Sequence, residues 1–328
     1  MRKISIIFII IMLFICSSCS KENTESTINY EEAYKRYSEE LVELNDIELI
    51  QLDTNKVQTN IYYKDVNNYI VPVMRQIPKQ DAIAKSAIMA LINNDTNRVD
   101  LRHLGLSPVL PEGIECELAL KEDNLMKINF NNAILSINNK EDEECAVQAI
   151  VYTLTEFDTV DKVQILVNNE IVQSLTNGTP VNEPLTRNNI NSLNNNVEGE
   201  YIKATFYSFI NISKEYTYYI PITKNISKDE KNINNIVKEQ ILINEGFGNE
   251  KPDKFVIDNI ITEEDIVYIS ISSELDNEDD YFAQFMKAMC LTIGQIEDIN
   301  TVKLVIENDE VEDMKILTYS IPTYANVH

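Results

Sequence analysis

The chain has 328 residues, 44% of them hydrophobic, and its 53 acidic and 28 basic side chains give a formal net charge of −25 at pH 7. This hydrophobic content excludes an intrinsically disordered chain, and the length suits two domains. So negative a charge argues against nucleic acid as a partner, because binding to phosphates needs clustered lysine and arginine. It argues equally against docking on anionic lipid head groups.

The first residues of the chain predict export. Arg2 and Lys3 precede the uncharged run Ile4–Ile15. A helix of this length spans only about 18 Å, which is short of the roughly 30 Å hydrocarbon core of a bilayer. Residues 1–18 are therefore interpreted as a signal peptide rather than as a transmembrane anchor.

The end of this segment predicts lipidation. Ser17 and Ser18 stand directly before Cys19, and this ending resembles the lipobox of bacterial lipoproteins, although Cys16 occupies a position where leucine is usual. The resemblance implies that Cys19 becomes the lipidated first residue of the mature chain. It would anchor the protein to the outer face of the cytoplasmic membrane. The alternative is an ordinary secretory signal that happens to contain two cysteines.

Residues 19–57 are polar and acidic and are predicted to tether the folded part to the membrane. Ala33, Tyr37, Leu41 and Leu44 recur there at helical spacing, so a short helix is expected within the tether. The first folded domain is expected to follow this segment.

Residues 58–173 predict a first domain of order β-β-α-β-β-α-β. Two strands, "NIYYKD" and "YIVPVM", precede an amphipathic helix with Ala84, Ile88 and Leu91 on one face. Two more strands, a second helix and the buried-type strand "VQILV" complete the order. Since proline lacks an N–H group, Pro72 predicts that the second strand lies at the edge of its sheet or pairs on one side only at that residue.

Residues 201–317 repeat this order. The phrase "VPVMRQIPK" at Val71–Lys79 returns as "IPITKNISK" at Ile220–Lys228. The chain is therefore predicted to be α/β of the α+β kind, with two tandem domains that are each built on a small mixed sheet. Residues 174–200, rich in asparagine and proline, are predicted to link the two domains, and residues 318–328 to form a C-terminal tail.

Two blocks of the first domain resemble a known family. "LPEG" at Leu110–Gly113 and "AVQAIVYTLTEFDTVDKVQILVNNE" at Ala146–Glu170 are similar to the GerMN domain. In tandem on a lipoprotein, this domain resembles the GerM-type family of sporulation and spore germination lipoproteins. The likeness covers residues 58–172 well and 202–316 more loosely. The second unit has "KPDK" in place of "LPEG", so strict equivalence of the two units is not expected.

The resemblance implies a fold similar to ring-building motifs, which are small α/β modules of stacked or ring-shaped assemblies. It also implies export into the space between mother cell and forespore, association with the channel-like complex that links the two cells, and support of cortex synthesis and germination. Envelope and sporulation channel proteins are the expected partners, with peptidoglycan and a ring or other homo-oligomer as further candidates. No catalytic residue is attributed to the family, so a non-enzymatic scaffold is the leading hypothesis.

Four residues are candidate protein contacts. Tyr62 and Tyr207 lie in tyrosine-rich strands, and Arg75 and Lys224 follow the doubled prolines in a strongly acidic chain. Because alternate residues of a strand face opposite sides, one ring of the pair formed by Tyr62 and Tyr63 is expected in the core and the other outside. The alternative interpretation is ordinary strand composition and loop charge.

Residues that could support catalysis or bind a metal are sparse. The chain has only two histidines, His103 and His328, and it has neither a glycine-rich nucleotide loop nor a CxxC pair. No nucleophilic triad, cofactor or metal site is therefore predicted. The acidic run Asp276–Asp280 lacks the glycine of a calcium loop and is interpreted as the start of a helix. Three scattered cysteines are expected to be buried free thiols, namely Cys116, Cys145 and Cys290.

The alternative function is a lipoprotein that binds peptidoglycan or hydrolyses it weakly. A glycosidase needs two carboxylates about 5–10 Å apart in a cleft, and Glu156 is the acid inside the strongest motif. The chain has no tryptophan to hold a sugar. A capping role of Glu156 at the end of its helix is the simpler interpretation.

Overall fold

Strands and helices alternate through both predicted repeats. The computed structural model describes residues 37–44, 53–79, 82–187, 189–193, 199–212, 216–252, 255–271, 280–296, 298–308 and 313–328. The predicted signal peptide, Cys19 and most of the acidic run Asp276–Asp280 lie outside these residues. Apart from Tyr37, the described residues belong to one compact unit, Ser38–His328. Within this described part of the chain, none of the helices combines the length and the apolar character needed to cross a membrane.

The first half of the chain contains two three-stranded sheets. Its elements are β1 (Tyr37–Val42), β2 (Lys56–Asp65), β3 (Ile70–Pro78), α1 (Ile83–Met89), α2 (Asp95–Arg102), β4 (Leu106–Ser107), β5 (Cys116–Lys121), β6 (Leu125–Phe130), α3 (Lys140–Leu154) and β7 (Lys162–Val167). One sheet has the order β3-β2-β4 and the other the order β5-β6-β7. The second of these is mixed, because β5 and β6 are antiparallel whereas β6 and β7 are parallel.

The second half repeats this plan with one larger sheet. Its elements are β8 (Tyr201–Asn211), β9 (Thr217–Ser227), α4 (Ile233–Gly246), β10 (Ile257–Glu263), β11 (Ile266–Ile271), α5 (Asp280–Ile293), β12 (Thr301–Asn308) and β13 (Asp313–Ser320). β8 and β9 form a hairpin. The other four strands of this half join β1 from the start of the described chain in a five-stranded sheet of order β1-β13-β12-β11-β10. The parallel pair of this sheet, β11 and β12, corresponds to β6 and β7 of the first half.

The predicted fold class and element order are confirmed. Each half has the order β-β-α-β-β-α-β, to which α2 and β4 are added in the first half and β13 in the second. Asparagine side chains begin three of the helices by accepting a backbone N–H bond in the first turn, namely Asn94, Asn139 and Asn232. The asparagine-rich composition thus supplies helix starts.

The helix expected within the tether is wrong for its last residues, which form β1. Glu39 accepts hydrogen bonds from Lys303 (2.7 Å) and Thr318 (2.8 Å), and Glu40 pairs with Lys315 at 3.1 Å. The strand ends near Leu44, which is buried in the core of the second half. Pairing with β13 decides the conformation here, because tertiary contacts override a weak helical pattern.

The larger of the two hydrophobic cores draws on both predicted repeats. It joins Ile61 and Ile150 of the first half to Phe206, Tyr218 and Ile222 of the second. The smaller core belongs mainly to the second half and is formed by α5 and the five-stranded sheet. The two halves therefore share buried surface, while the predicted domain boundaries stay a prediction.

The segment predicted as a linker is anchored to the fold at several points where the structure describes it. Leu175, Val181 and Ile190 are buried in the larger core. Glu143 of α3 accepts hydrogen bonds from the backbone N–H groups of Asn177 (2.8 Å) and Thr179 (2.9 Å). Because the segment contains few apolar residues, its sequence did not predict these buried residues and hydrogen bonds.

Candidate functional site

The doubled proline phrase lies where the two halves meet. β3 is the edge strand of its sheet, as Pro72 predicted, and β9 has no partner besides β8 among the described strands. The two strands pack against each other, and Pro72 and Pro221 are both buried there. Since neither proline has an N–H group to donate, a regular ladder between β3 and β9 would lack donors at its centre. We call this contact the seam.

The side chain of Asn191 bridges the seam at one end. Its Oδ1 accepts the backbone N–H of Ile70 at 2.7 Å, and its Nδ2 donates to the carbonyl oxygens of Ile70 and Pro221, each at 2.8 Å. A carboxamide has an acceptor oxygen and a two-donor amide group, so it can replace the peptide of a neighbouring strand. Asn191 therefore satisfies Ile70 as a paired strand would and holds β9 with its second donor.

Asn326 bridges the seam at its other end. There the residue bonded at both its N–H and its carbonyl belongs to β9, and the second carbonyl belongs to β3. Its Oδ1 accepts the backbone N–H of Tyr219 at 2.7 Å, and its Nδ2 donates to the carbonyl oxygens of Tyr219 (2.8 Å) and Pro72 (2.7 Å). In the repeat alignment that pairs Pro72 with Pro221, Ile70 pairs with Tyr219. The two asparagines are thus related by the same internal symmetry as the phrase. We call them the asparagine clamps.

Sequence reasoning missed both clamps. Asn191 lies in the segment predicted as a linker and Asn326 in the predicted tail, and each is one asparagine among many. The available signal was indirect, since two buried prolines in facing edge strands leave backbone groups that some side chain must satisfy.

A second symmetric pair of contacts involves the predicted residues Tyr62 and Tyr207. The backbone N–H of Tyr62 donates to Thr153 Oγ1 of α3 at 3.1 Å, and that of Tyr207 donates to Thr292 Oγ1 of α5 at 2.9 Å. The two threonines occupy equivalent places in the repeat, since Thr153 begins "TLTEFDTVDKVQILV" and Thr292 begins "TIGQIEDINTVKLVI". In the second half Gln240 joins the contact by donating to the Tyr207 carbonyl at 2.6 Å.

Thr153→Val and Thr292→Val should each lower the free energy of unfolding by about 1–2 kcal/mol, because a buried N–H group loses its acceptor while the side-chain shape is kept. Thr292→Val should cost more, since Thr292 Oγ1 also donates to Gln240 Oε1. Urea unfolding followed by circular dichroism measures both. Thr186→Val, at an exposed position, is the control. If Thr153→Val and Thr292→Val unfold at the same urea concentration as Thr186→Val, the expectation is contradicted.

The expectation that one ring of the Tyr62 and Tyr63 pair faces outward is wrong. Tyr62 is 5% exposed and Tyr63 is 1% exposed. β2 is covered on one side by α3 and lies at the larger core, which includes strands of the second half. Both faces of the strand are therefore covered, and alternation along it brings neither ring to solvent.

Glu156 lies in a polar cluster next to Tyr62. Its carboxylate accepts hydrogen bonds from Tyr62 Oη (2.8 Å) and Asn60 Nδ2 (3.0 Å) and pairs with Arg187. Arg187 stacks over the Tyr152 ring, 5.0 Å from its centroid. The capping interpretation is wrong, since the contacts found for this carboxylate in the described residues go to β2 and Arg187 rather than to the helix backbone.

The cluster changes the titration of its tyrosines. Burial, followed by the negative charge of Glu156, raises the pKa of Tyr207 to about 12 and that of Tyr62 well above its usual range. Both phenols are therefore neutral at any physiological pH. They act as hydrogen-bonding and packing groups rather than as bases.

Arg75 and Lys224, the other two candidate contacts, each have a carboxylate partner within the chain. Arg75 pairs with Asp100 and lies 5.8 Å from the centroid of the Tyr63 ring. Lys224 pairs with Glu239 of α4. Their role as contacts with another protein stays a prediction, as does that of Tyr62 and Tyr207.

The two histidines meet beside Arg75. His103 follows α2, and its Nε2 lies 3.2 Å from Nε2 of His328. Burial, with the positive charge of Arg75 and His103, lowers the pKa of His328. Within the described residues no group of three or more metal-binding side chains could hold an ion.

The three cysteines among the described residues, Cys116, Cys145 and Cys290, are free and buried, as expected from the sequence. Burial raises the pKa of Cys145 to about 11 and raises those of Cys116 and Cys290 as well. These thiols are therefore protonated at neutral pH and behave as apolar core residues.

Comparison with known proteins supports the resemblance seen in the sequence. A family model described as Germane, sporulation and spore germination, matches residues 60–173. The spore germination protein GerM of Bacillus subtilis strain 168 is 30% identical over 183 residues, which are 54% of this chain and 49% of that protein. The chain thus spans about half the length of the curated relative it matches.

A solved structure agrees with the architecture. The tandem GerMN domains of the sporulation protein GerM from Bacillus subtilis align with a TM-score of 0.61 and 22% identity, covering 83% of this chain and 99% of that one. Because the two chains are only 22% identical, this likeness shows a shared fold and nothing further. The two-repeat fold of this chain is therefore similar to that of the tandem GerMN domains of GerM, and the resemblance seen in the sequence is confirmed for residues 60–173.

Proposed function

We propose, from the match of residues 60–173 to the Germane family model, that this chain is a non-enzymatic envelope protein of sporulation and spore germination. It is held on the outer face of the cytoplasmic membrane by a lipid on Cys19. It acts as an assembly component of the complex between mother cell and forespore and supports cortex formation. The observation that carries the proposal is the 30% identity to a spore germination protein of Bacillus subtilis.

The seam supports a scaffold role. The asparagine clamps and the larger core connect the two repeats through buried contacts. A body that presents two domains in one fixed orientation can hold partners at a defined spacing, because hinge motion between the domains is suppressed. A flexible linker would give no such constraint.

The state of Glu156 supports a role without catalysis. Its carboxylate is engaged by Tyr62, Asn60 and Arg187 at once. A general acid of a glycosidase needs a carboxyl group that is free to deliver a proton to the sugar oxygen. The carboxylate of Glu156 is instead held in an ion pair by the guanidinium of Arg187. Glu156 therefore serves the fold of the first repeat.

The test is complementation of a strain from which the gene for this chain has been deleted. We expect the deletion to reduce spore formation or germination, and we expect Glu156→Gln to restore both as well as the natural chain does. Its cost in stability should be about 1 kcal/mol or less, since Arg187 is partly exposed to solvent. Normal spore formation together with normal germination of the deletion strain would overturn the proposal.

Affinity capture from sporulating and vegetative cells, with the full membrane-anchored chain as bait, separates the scaffold from the alternative. Recovery of intermembrane channel components from sporulating cells alone supports the scaffold. Retention on purified peptidoglycan without such partners, together with loss of complementation by Glu156→Gln, would favour the wall-active alternative. A Cys19→Ala variant checks the anchor, since it should leave the membrane fraction.

A further inference from the structure

One turn in the segment predicted as a linker carries a chemically reactive pair of residues. Asn177 is followed by Gly178, and this is the one Asn-Gly pair in a chain rich in asparagine. The N–H of Gly178 closes the turn by donating to the Leu175 carbonyl at 3.1 Å. Gly178 is exposed, has a φ of +93°, and has no neighbour within 4 Å of the place where a Cβ would lie. An asparagine before glycine is the kind most prone to deamidation, because glycine leaves the following nitrogen uncrowded and its backbone free to adjust.

Deamidation at such a pair needs no reagent besides water. The backbone nitrogen of Gly178, after losing its proton, attacks Cγ of Asn177. A C–N bond forms, the bond from Cγ to Nδ2 breaks, and ammonia leaves with a proton, so that a cyclic succinimide results. Water then opens the ring at either carbonyl carbon. The product is aspartate at position 177 or an isoaspartyl linkage, in which the backbone runs through the side chain.

The folded chain restrains both reacting groups. Asn177 Nδ2 donates to the Ile137 carbonyl at 2.7 Å and to Glu143 Oε1 at 3.3 Å. The N–H that Gly178 would have to lose is hydrogen-bonded to the Leu175 carbonyl. While these bonds hold, the side chain of Asn177 is not free to turn its Cγ towards the next nitrogen. The reaction therefore requires local opening of the turn.

Glu143 of α3 is the group that keeps this turn closed. Its two oxygens accept the backbone N–H groups of Asn177 and Thr179, at 2.8 and 2.9 Å. Glu143 is fully buried, and a charged acceptor forms stronger hydrogen bonds than a neutral one. A smaller contribution comes from the exposed Thr176, whose hydroxyl donates to the Leu135 carbonyl at 2.8 Å. The frequency of opening therefore depends chiefly on Glu143.

The products of deamidation do not fit back into this position. Aspartate has an oxygen in place of Nδ2, and that oxygen would face the Ile137 carbonyl and the Glu143 carboxylate, which are both acceptors. Two like charges at a buried site repel strongly, because water does not screen them. An isoaspartyl linkage instead lengthens the backbone between the two N–H groups that Glu143 binds. Either product leaves the turn open, so the change is irreversible.

We propose that Asn177 is a modification site, at which slow deamidation releases residues 175–179 from α3, and that Glu143 sets the rate of this reaction by holding the turn closed. The released residues belong to the segment that continues to Arg187 and to the clamp residue Asn191. The modification therefore weakens the attachment of that clamp without a second protein. This inference does not depend on the proposed role in sporulation.

The first test follows deamidation of the purified full chain by peptide mass spectrometry during incubation in mildly alkaline buffer. In the natural chain the rate at Asn177 should be about tenfold or more lower in buffer than in urea, because only the open turn reacts. Glu143→Gln should raise the rate in buffer by about tenfold or more, since a buried N–H group of the turn loses its acceptor. Glu144→Gln, at the exposed neighbouring position, should leave the rate unchanged.

The second test examines the product. Asn177→Asp reproduces the aspartyl form, and the backbone amides of residues 177 and 179 should exchange their hydrogens about tenfold faster than in the natural chain, because the turn stays open. Asn189→Asp adds the same charge at an exposed position of the same segment and should leave both exchange rates unchanged. Circular dichroism confirms that each variant of the two tests is folded.

Four outcomes would overturn the proposal. Absence of deamidation at Asn177 in urea would show that the pair is not reactive. Equal rates in buffer and in urea would show that the fold does not restrain the reaction. Equal rates in Glu143→Gln and Glu144→Gln would show that Glu143 does not set the rate. Unchanged hydrogen exchange in Asn177→Asp would show that the modified turn stays bound to α3.

Discussion

Asn326→Asp should lower the free energy of unfolding by about 3–5 kcal/mol, the cost of an uncompensated buried charge. The substitution keeps the shape of the side chain and replaces the donor Nδ2 by an oxygen. That oxygen would face the carbonyl groups of Tyr219 and Pro72, which now accept from Nδ2 at 2.8 and 2.7 Å. The site is only 4% exposed, so water cannot relieve the repulsion. A protonated carboxyl group would donate to one carbonyl at most.

The seam should loosen as well as weaken. Because Asn326 holds one end of the contact between β3 and β9, we expect urea unfolding of Asn326→Asp to separate into two transitions, while the natural chain unfolds in one. Small-angle X-ray scattering should show a larger radius of gyration for the variant before unfolding begins.

A matched control is available in Asn189, which lies close to the other clamp in the sequence and is exposed. Asn189→Asp adds the same charge and should change the free energy of unfolding by less than about 0.5 kcal/mol. Asn191→Asp should fall between the two, since Asn191 is half-buried. If Asn326→Asp and Asn189→Asp unfold at the same urea concentration, the clamp is not a source of stability.

The internal repeat could be predicted because patterns among neighbouring residues in the sequence indicate it. Alternating strands, helical spacing and the doubled phrase each depend on neighbours within one element. Pro72 even predicted an edge strand, because the missing N–H group is a property of that residue alone. The element order followed from these signals and is confirmed by the structure.

The contacts that join the halves were not predictable in the same way. Ile70 and Asn191 are far apart in the chain, and nothing near either residue indicates the other. β1 was missed for the same reason, since its conformation depends on a pairing with β13. Long-range pairing is decided by the whole fold, and the local pattern of a single sequence carries no record of it.

The sequence predicted where the candidate site lies but not what its residues do there. Tyr62, Tyr207, Arg75 and Lys224 all lie beside the seam, which the doubled phrase indicated. Their partners Thr153, Thr292, Asp100 and Glu239 show how each is used within the chain. Burial was the missing quantity, because alternation along β2 predicts an exposed ring only if one face of the strand is open.

Glu143→Gln should lower the free energy of unfolding by about 2–4 kcal/mol at pH 7. Glu143 is fully buried, and its two oxygens accept the N–H groups of Asn177 (2.8 Å) and Thr179 (2.9 Å). Glutamine keeps one acceptor and sets an amide donor against the other N–H group, leaving a buried donor without a partner. The segment that leads to the first clamp would lose its anchor on α3.

The same carboxylate predicts a dependence on pH. Burial opposes its ionisation, but the hydrogen bonds from Asn177 and Thr179 together outweigh burial and hold the pKa of Glu143 below its ordinary value of 4.5. The unfolded chain therefore binds this proton at a higher pH than the folded chain does. The contribution of Glu143 to stability is complete above pH 4.5 and is lost as the pH falls through the folded-state pKa.

Urea unfolding of Glu143→Gln and of the natural chain over a range of pH measures both effects. The difference between them should be largest near neutral pH and should shrink as the solution is acidified below pH 4.5. Glu144→Gln is the control, because Glu144 is exposed and its carboxylate pairs with Lys140 at 3.7 Å on the surface of the helix. A difference that stays constant with pH would mean that the shape of the side chain, rather than its charge, holds the segment from Asn177 to Thr179 in place.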